Sequence, residues 1–311
     1  MLNVYVPIYN SLFCAEYHIK TLRAFLKDDF QLIIIDNNAG RHPESSESLK
    51  LLCDREGVLL DNSPDEELLK FQSFIEEGKL GISPKLGYTL NKIWKHARDS
   101  GVEHFGFLDQ DCFLFRPTSV VDLLQDLPAY GKVVPTHADP IHYLPDGKIL
   151  KWNLHVITNF YRTSWLKEAE DDNRPPNFMP GWCAGLYFPP DVAKSLRTEL
   201  DTGGLNWLTL WRHEDPTRYA LPEDRYLYFD DTSLLDPDGA HPTKTLYEIV
   251  DDRWVHMMHG TAGSDSSEYT HPKSAYMKGF LDSMLLYHQS TEMKPTAHRS
   301  MWDPRDKKDV S

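Results

Sequence analysis

The sequence predicts an α/β fold, a doubly wound sheet with helices on both faces, and three observations predict it. Val4-Tyr5-Val6-Pro7 and Gln31-Leu32-Ile33-Ile34-Ile35-Asp36 are near-continuous apolar runs, the pattern of parallel strands covered on both faces. Ile19, Leu22, Phe25 and Leu26 recur at helical spacing between those runs, as do Leu86, Leu90, Ile93, Trp94 and Ala97 further on. A third apolar run, Phe105-Gly106-Phe107-Leu108, ends in Asp109-Gln110-Asp111. Those carboxylates therefore emerge at the carboxyl end of a strand, where open α/β sheets bind ligands.

From about Pro128 onward Pro, Gly and aromatics become frequent and helical periodicity weakens. Mixed short strands and long loops are expected there, up to a last helix over Lys273 to His288. No internal repeat or low-complexity linker interrupts the chain. Residues 1–127 thus form one half and 128–289 an elaborated second half of the same compact domain, with 290–311 a polar tail.

Composition narrows the function classes. At 41% hydrophobic and 26% charged residues, the chain is an ordinary globular protein and neither disordered nor fibrous. Its 33 basic against 47 acidic residues give a formal charge of −14, which repels nucleic acid and anionic membrane surfaces. An acidic protein that binds an anionic ligand needs local compensation, and a divalent cation is the simplest source. Cys14, Cys53, Cys112 and Cys183 lack the close pairs of a zinc site or disulfide framework and read as reduced thiols. No stretch reaches the roughly 18–20 apolar residues of a membrane span, and the N-terminus runs directly into a strand, so a cytoplasmic location is expected.

Asp109-Gln110-Asp111 is the sharpest chemical feature. Two carboxylates one residue apart just past a strand can hold a divalent cation and a ribose hydroxyl, with Asp111 the metal ligand. A solvated turn is the competing reading, against which stand the flanking apolar runs: charges placed between them are costly to desolvate without a partner. Later in the chain, Pro180-Gly181-Trp182-Cys183-Ala184-Gly185 is either a tight turn or a ligand-lining segment. Asp230 and Asp231 suit a helix cap and first turn as well as an acidic catalytic pair, with Glu223 and Asp224 nearby. His256 and His259 are spaced to share one helical face, among apolar neighbours that predict partial burial.

In order along the chain, these elements resemble the GT-A glycosyltransferases, in particular the family 2 type that includes rhamnosyltransferases. The opening Pro7-Ile8-Tyr9-Asn10 resembles that family's first strand and nucleotide-binding turn, and Asp36-Asn37-Asn38 its second; Gly87 and Asn91 match a third element. Asp109-Gln110-Asp111 is similar to its metal motif, including the central glutamine of rhamnosyltransferase-like members. The resemblance implies a GT-A type, Rossmann-like mixed sheet with an elaborated C-terminal acceptor half. It also implies a nucleotide diphosphate sugar donor bound by Pro7, Tyr9, Asn10, Asp36, Asn38, Gly87, Asn91, Asp109 and Gln110, and an acceptor or donor sugar lined by Gly181, Trp182 and Gly185. Asp231, paired with Asp230 where the family usually has glutamate, would be the base of an inverting transfer to a hydroxyl acceptor, and one of His256 and His259 would complete the metal shell with Asp109 and Asp111. A histidine beside carboxylates favours Mn²⁺ over Mg²⁺. Two other readings stay open: a catalytically silent nucleotide-sugar or glycan-binding module, and a sugar-1-phosphate nucleotidyltransferase, against which the stretch Pro7 to Cys14 lacks glycine and basic residues.

Overall fold

The computed structural model describes residues 1–38, 40–63, 65–76, 83–125, 127–135, 152–181, 183, 202–206, 224–228, 245–257 and 272–289. Its first half reads β1 (Leu2–Ile8), α1 (Leu12–Phe25), β2 (Phe30–Asp36), α2 (Pro43–Glu56), β3 (Leu59–Asp61), α3 (Glu66–Glu76), α4 (Ser83–Ser100), β4 (His104–Leu108), β5 (Cys112–Leu114) and α5 (Val120–Leu124). There follow β6 (Ala129–Pro135), β7 (Trp152–Arg162), α6 (Thr163–Asp171), a single helical turn at Gly204–Asn206, β8 (Asp224–Tyr228), β9 (Thr245–Val250), β10 (Trp254–His256) and α7 (Pro272–Gln289). Among the described residues, no helix is long and apolar enough to cross a membrane.

A six-stranded mixed sheet of order β3-β2-β1-β4-β7-β6 forms the centre. Strands β3, β2, β1 and β4 run parallel, while β7 is antiparallel to both β4 and β6. Side chains of a strand alternate between faces, and the core sorts accordingly. Leu2, Val4, Val6 and Ile8 of β1 and Leu32 and Ile34 of β2 pack with α1 and α2. Tyr5, Ile33, Ile35, Phe105 and Phe107 pack on the other side with Leu90, Ile93 and Trp94 of α4 and Leu166 of α6. This is the predicted α/β class, with helices on both faces.

A second, antiparallel sheet of order β5-β10-β9-β8 joins the first core through Phe113, Ile249, Trp254 and Val255. Short strands were expected beyond residue 128, yet β7 runs for 11 residues and α6 follows it directly. Thr158 and Asn159 are buried in β7, so its central position is not announced by an apolar run. Helix α1 opens on Ser11, whose hydroxyl accepts the Cys14 N–H, and closes at Phe25, with Leu26 the buried capping residue beyond the last turn.

Candidate functional site

Strand β4 delivers the chain to Asp109, whose N–H donates to the Ile157 carbonyl at 2.8 Å. The chain then turns at once: the Cys112 N–H donates to the Asp109 carbonyl at 3.0 Å, and the Asp109 carboxylate accepts the Gln110 N–H at 2.9 Å. Asp111 is tied to the second sheet, because its carbonyl accepts the Met257 N–H at 2.9 Å. That register places His256 Nε2 3.4 Å from Asp111 Oδ1.

Asp109, Asp111 and His256 offer one ligand atom each, all within 4.8 Å of one another. Asp111 and His256 are buried and Asp109 is half-buried, so the cluster is closed on one side. The two carboxylates repel each other and lose hydration in so small and largely buried a volume, and a divalent cation offsets both costs. The donor set, two hard oxygens and one nitrogen, fits a first-row divalent ion.

His256 corrects one sequence expectation. It lies in strand β10, paired opposite Cys112 of β5, and not on a helix. The helical spacing of His256 and His259 therefore does not make them one face, although burial of His256 is as expected. His259 lies outside the described residues.

Gln110 fastens this loop to the turn after β1. Its Oε1 accepts the Tyr9 N–H at 2.9 Å, and its carbonyl lies 3.0 Å from His18 Nε2, inside α1. His18 is fully buried against the Phe113 ring, and that desolvation lowers its pKa to about 4, against smaller opposing effects of the Gln110 and Asp109 carbonyls. It is a neutral imidazole at pH 7.

Pro7 is buried in β1, and the two turns beyond β1 and β2 interlock. The Asn10 N–H, at φ 45°, donates to Asn38 Oδ1 at 2.6 Å, and the Asn38 N–H donates to Asp36 Oδ1 at 2.9 Å. Around Tyr9 stand three nitrogen-bearing side chains that sequence spacing did not single out. Arg41 Nη1 donates to the Tyr9 hydroxyl at 3.1 Å, the Lys85 ammonium lies 4.4 Å over the ring, and His42 meets its edge. They come from α4 and from beside α2, so only the tertiary fold gathers them.

Gly87 and Asn91 face a different neighbour, the segment that runs into Gly181. Asn91 Oδ1 accepts the Phe178 N–H at 2.7 Å and its Nδ2 donates to Asn177 Oδ1 at 3.0 Å, while a Cβ on Gly87 would lie 2.8 Å from the Phe178 carbonyl oxygen. Gly181 is buried, and the Cys183 N–H closes a turn onto the Pro180 carbonyl at 3.0 Å. Trp182, Gly185, Asp230, Asp231 and Glu223 lie outside the described residues; Asp224 opens β8, paired opposite Val250.

No protein-family model and no curated protein matches the sequence. Among solved structures, the chain is similar to an active-site mutant of LgtC, at 13% identity and a TM-score of 0.41, over 67% of this chain and 70% of that one. It is also similar to the mannosyltransferase PcManGT of Pyrobaculum calidifontis, solved with GDP-Man and Mn²⁺, at 15% identity and a TM-score of 0.32, over 54% of this chain. A third is TarS 1-349 of S. aureus, solved with UDP, at 15% identity and a TM-score of 0.31, over 63% of this chain. The matches span 46% of PcManGT and 52% of that TarS chain.

Proposed function

We propose that this chain is a metal-dependent glycosyltransferase of GT-A type, which moves a sugar from a nucleotide diphosphate sugar to a hydroxyl acceptor with inversion. One observation carries the reading: Asp109, Asp111 and His256 converge, two of them buried, at the carboxyl end of the central strand β4. Ligand sites of open α/β sheets lie at that end.

In this reading Asp109, Asp111 and His256 hold Mn²⁺, whose charge, when bound, stabilises the departing nucleotide diphosphate. The surrounding side chains do the rest. Asp36, Asn38 and the Tyr9–Asn10 turn orient the nucleoside. Arg41 and Lys85, gathered at Tyr9, supply positive charge to a chain whose formal charge is −14, which an anionic donor requires. Asp231 takes the proton from the acceptor hydroxyl as its oxygen bonds to the anomeric carbon and the bond to the diphosphate breaks. Gly181, Trp182 and Gly185 border the sugar.

The test is a thermal-shift panel of UDP-, GDP- and dTDP-sugars with Mn²⁺ and again with EDTA, followed by turnover assays on Asp111→Asn. A ligand that binds only the native state raises its melting point, so one nucleotide class should shift it in a metal-dependent way. Asp111→Asn should remove that shift and lower turnover beyond the roughly 10–100-fold that loss of a residue merely supporting a ligand costs a metal site. Absence of any metal-dependent shift, or an Asp111→Asn variant with full turnover, overturns the proposal. Donor binding with neither hydrolysis nor transfer identifies a silent nucleotide-sugar-binding module instead.

A further inference from the structure

The Asp109–Asp111 loop leaves one sheet and enters another, so its carbonyls lose the ladder partners a strand would give them. The Asp109 carbonyl is met by Cys112 and the Asp111 carbonyl by Met257. The Gln110 carbonyl, at the apex between the two carboxylates, is met by a side chain from another element: His18 Nε2 at 3.0 Å. A carbonyl oxygen only accepts, so the imidazole carries its proton on Nε2 and donates.

His18 is an expensive way to fill this space. It is completely buried, its ring lies 4.8 Å from that of Phe113, and its Nδ1 has no hydrogen-bond partner among the described residues. A buried polar atom without a partner costs about 1–3 kcal/mol, which an aliphatic or aromatic side chain would avoid. Packing alone therefore does not explain an imidazole here, whereas a donor aimed at the loop apex does.

We propose that His18 is a positioning residue of the metal site: its Nε2–H fixes the Gln110 carbonyl and thereby sets the directions in which Asp109 and Asp111 leave the backbone. The inference rests on the reading of Asp109, Asp111 and His256 as a cation site. His18 does not touch the ion; it acts through the loop, as partners that orient metal ligands do.

Mn²⁺ titration followed by electron paramagnetic resonance, on the full chain and without nucleotide, tests this. The informative pair is His18→Gln and His18→Met, close in shape and differing in that only glutamine carries an amide donor that reaches the imidazole Nε2 position. His18→Met should bind Mn²⁺ about 10–100-fold more weakly than wild type, and His18→Gln should recover most of that loss. A cooperatively melting His18→Met variant with wild-type Mn²⁺ affinity overturns the proposal, and so do glutamine and methionine variants that are equally weak, since ring packing would then be what matters. Should His18→Met not fold, His18→Asn replaces it: its amide matches Nδ1, falls short of the carbonyl, and should show the same loss. Asp111→Asn in the same titration separates the two levels. If it binds Mn²⁺ as wild type does, the cation site falls and this inference with it; if it does not bind and the His18 variants do, only the role of His18 is lost.

Discussion

The two sheets that meet at Asp109-Gln110-Asp111 are built in opposite ways. In the six-stranded sheet, β1, β2 and β4 are contiguous apolar runs in parallel register, buried between helices on both faces. The four-stranded sheet joins β5, β8, β9 and β10, drawn from residues 112 to 256 and paired antiparallel throughout. Asp109 ends the first sheet, Asp111 opens the second, and His256 reaches them only through the pairing of β10 with β5. The site is thus half local and half long-range, and the two halves answer differently to sequence and to mutation.

The sharpest way to break that division is at Gly106, in β4, where the sheets press together. Gly106 pairs opposite Phe160 of β7, and a Cβ there would lie 2.0 Å from a Phe160 ring carbon. That ring is fully buried between Tyr130 and Trp254 of β10 and has nowhere to go. Overpacking of this kind costs about 1–3 kcal/mol and occasionally more; Gly106→Ala should fall at or above the top of that range. Chemical denaturation measures it, and Gly106→Ala combined with Phe160→Leu should recover part of the loss. An unchanged midpoint would mean that β4 and β10 are not packed through Phe160.

Gly87→Ala should have a smaller effect, and it separates two roles for one residue. Alanine gains roughly 1 kcal/mol of helix propensity over glycine, but its Cβ would lie 2.8 Å and 2.9 Å from backbone atoms of Phe178 and Met179, which cannot rotate away. The variant should be less stable by about 1 kcal/mol net, the clash of roughly 1–3 kcal/mol exceeding the propensity gain. If Gly87 serves packing of the Asn177–Gly181 segment, the melting point falls and the KM for donor changes little. A raised KM at an unchanged melting point would place Gly87 against the nucleotide.

How much of this was legible in the sequence follows from the range of the interactions. Strands β1, β2 and β4 declare themselves as apolar runs and helices α1 and α4 through apolar periodicity, both properties of neighbouring residues. So does the position of Asp109 and Asp111 beyond β4. Helix α2 buries only a stripe, Leu49, Leu52 and Cys53, within a polar sequence, and β7 carries buried Thr158 and Asn159; neither shows a clean pattern. His256 was singled out, but as part of a helical pair, because nothing local distinguishes a three-residue strand. Arg41, Lys85 and His18 carried no signal, since their roles arise from residues 32 to 92 positions away.

The subtlest contrast between regions lies along the pH axis. His104, at the start of β4, has its pKa lowered by burial, with the charge of Arg162 adding to the effect and that of Glu103 opposing it. Its imidazole titrates near 6.5 when unfolded, so below about that pH the unfolded chain binds the extra proton and the folded state loses stability. Asp282 of α7 behaves as a carboxylate should: burial raises its pKa, but hydrogen bonds from Lys278 and Tyr17 outweigh that and leave it below the ordinary value. Its contribution is present above the unfolded carboxylate pKa of about 3.9 and is lost as pH falls through the lower folded value. His18 of α1, lowered to about 4 by burial, acts in the same direction as His104 from about pH 6.5 downward. Acid should therefore weaken β4 and the buried face of α1 first and the Asp282 link of α7 to Tyr17 only later. Hydrogen exchange resolved by segment between pH 7 and 3 reads the order directly: β4 amides should lose protection before those of α7. His104→Asn should flatten part of the first phase and leave the part owed to His18, and simultaneous loss in both segments would show that the two sheets and α7 unfold as one cooperative unit.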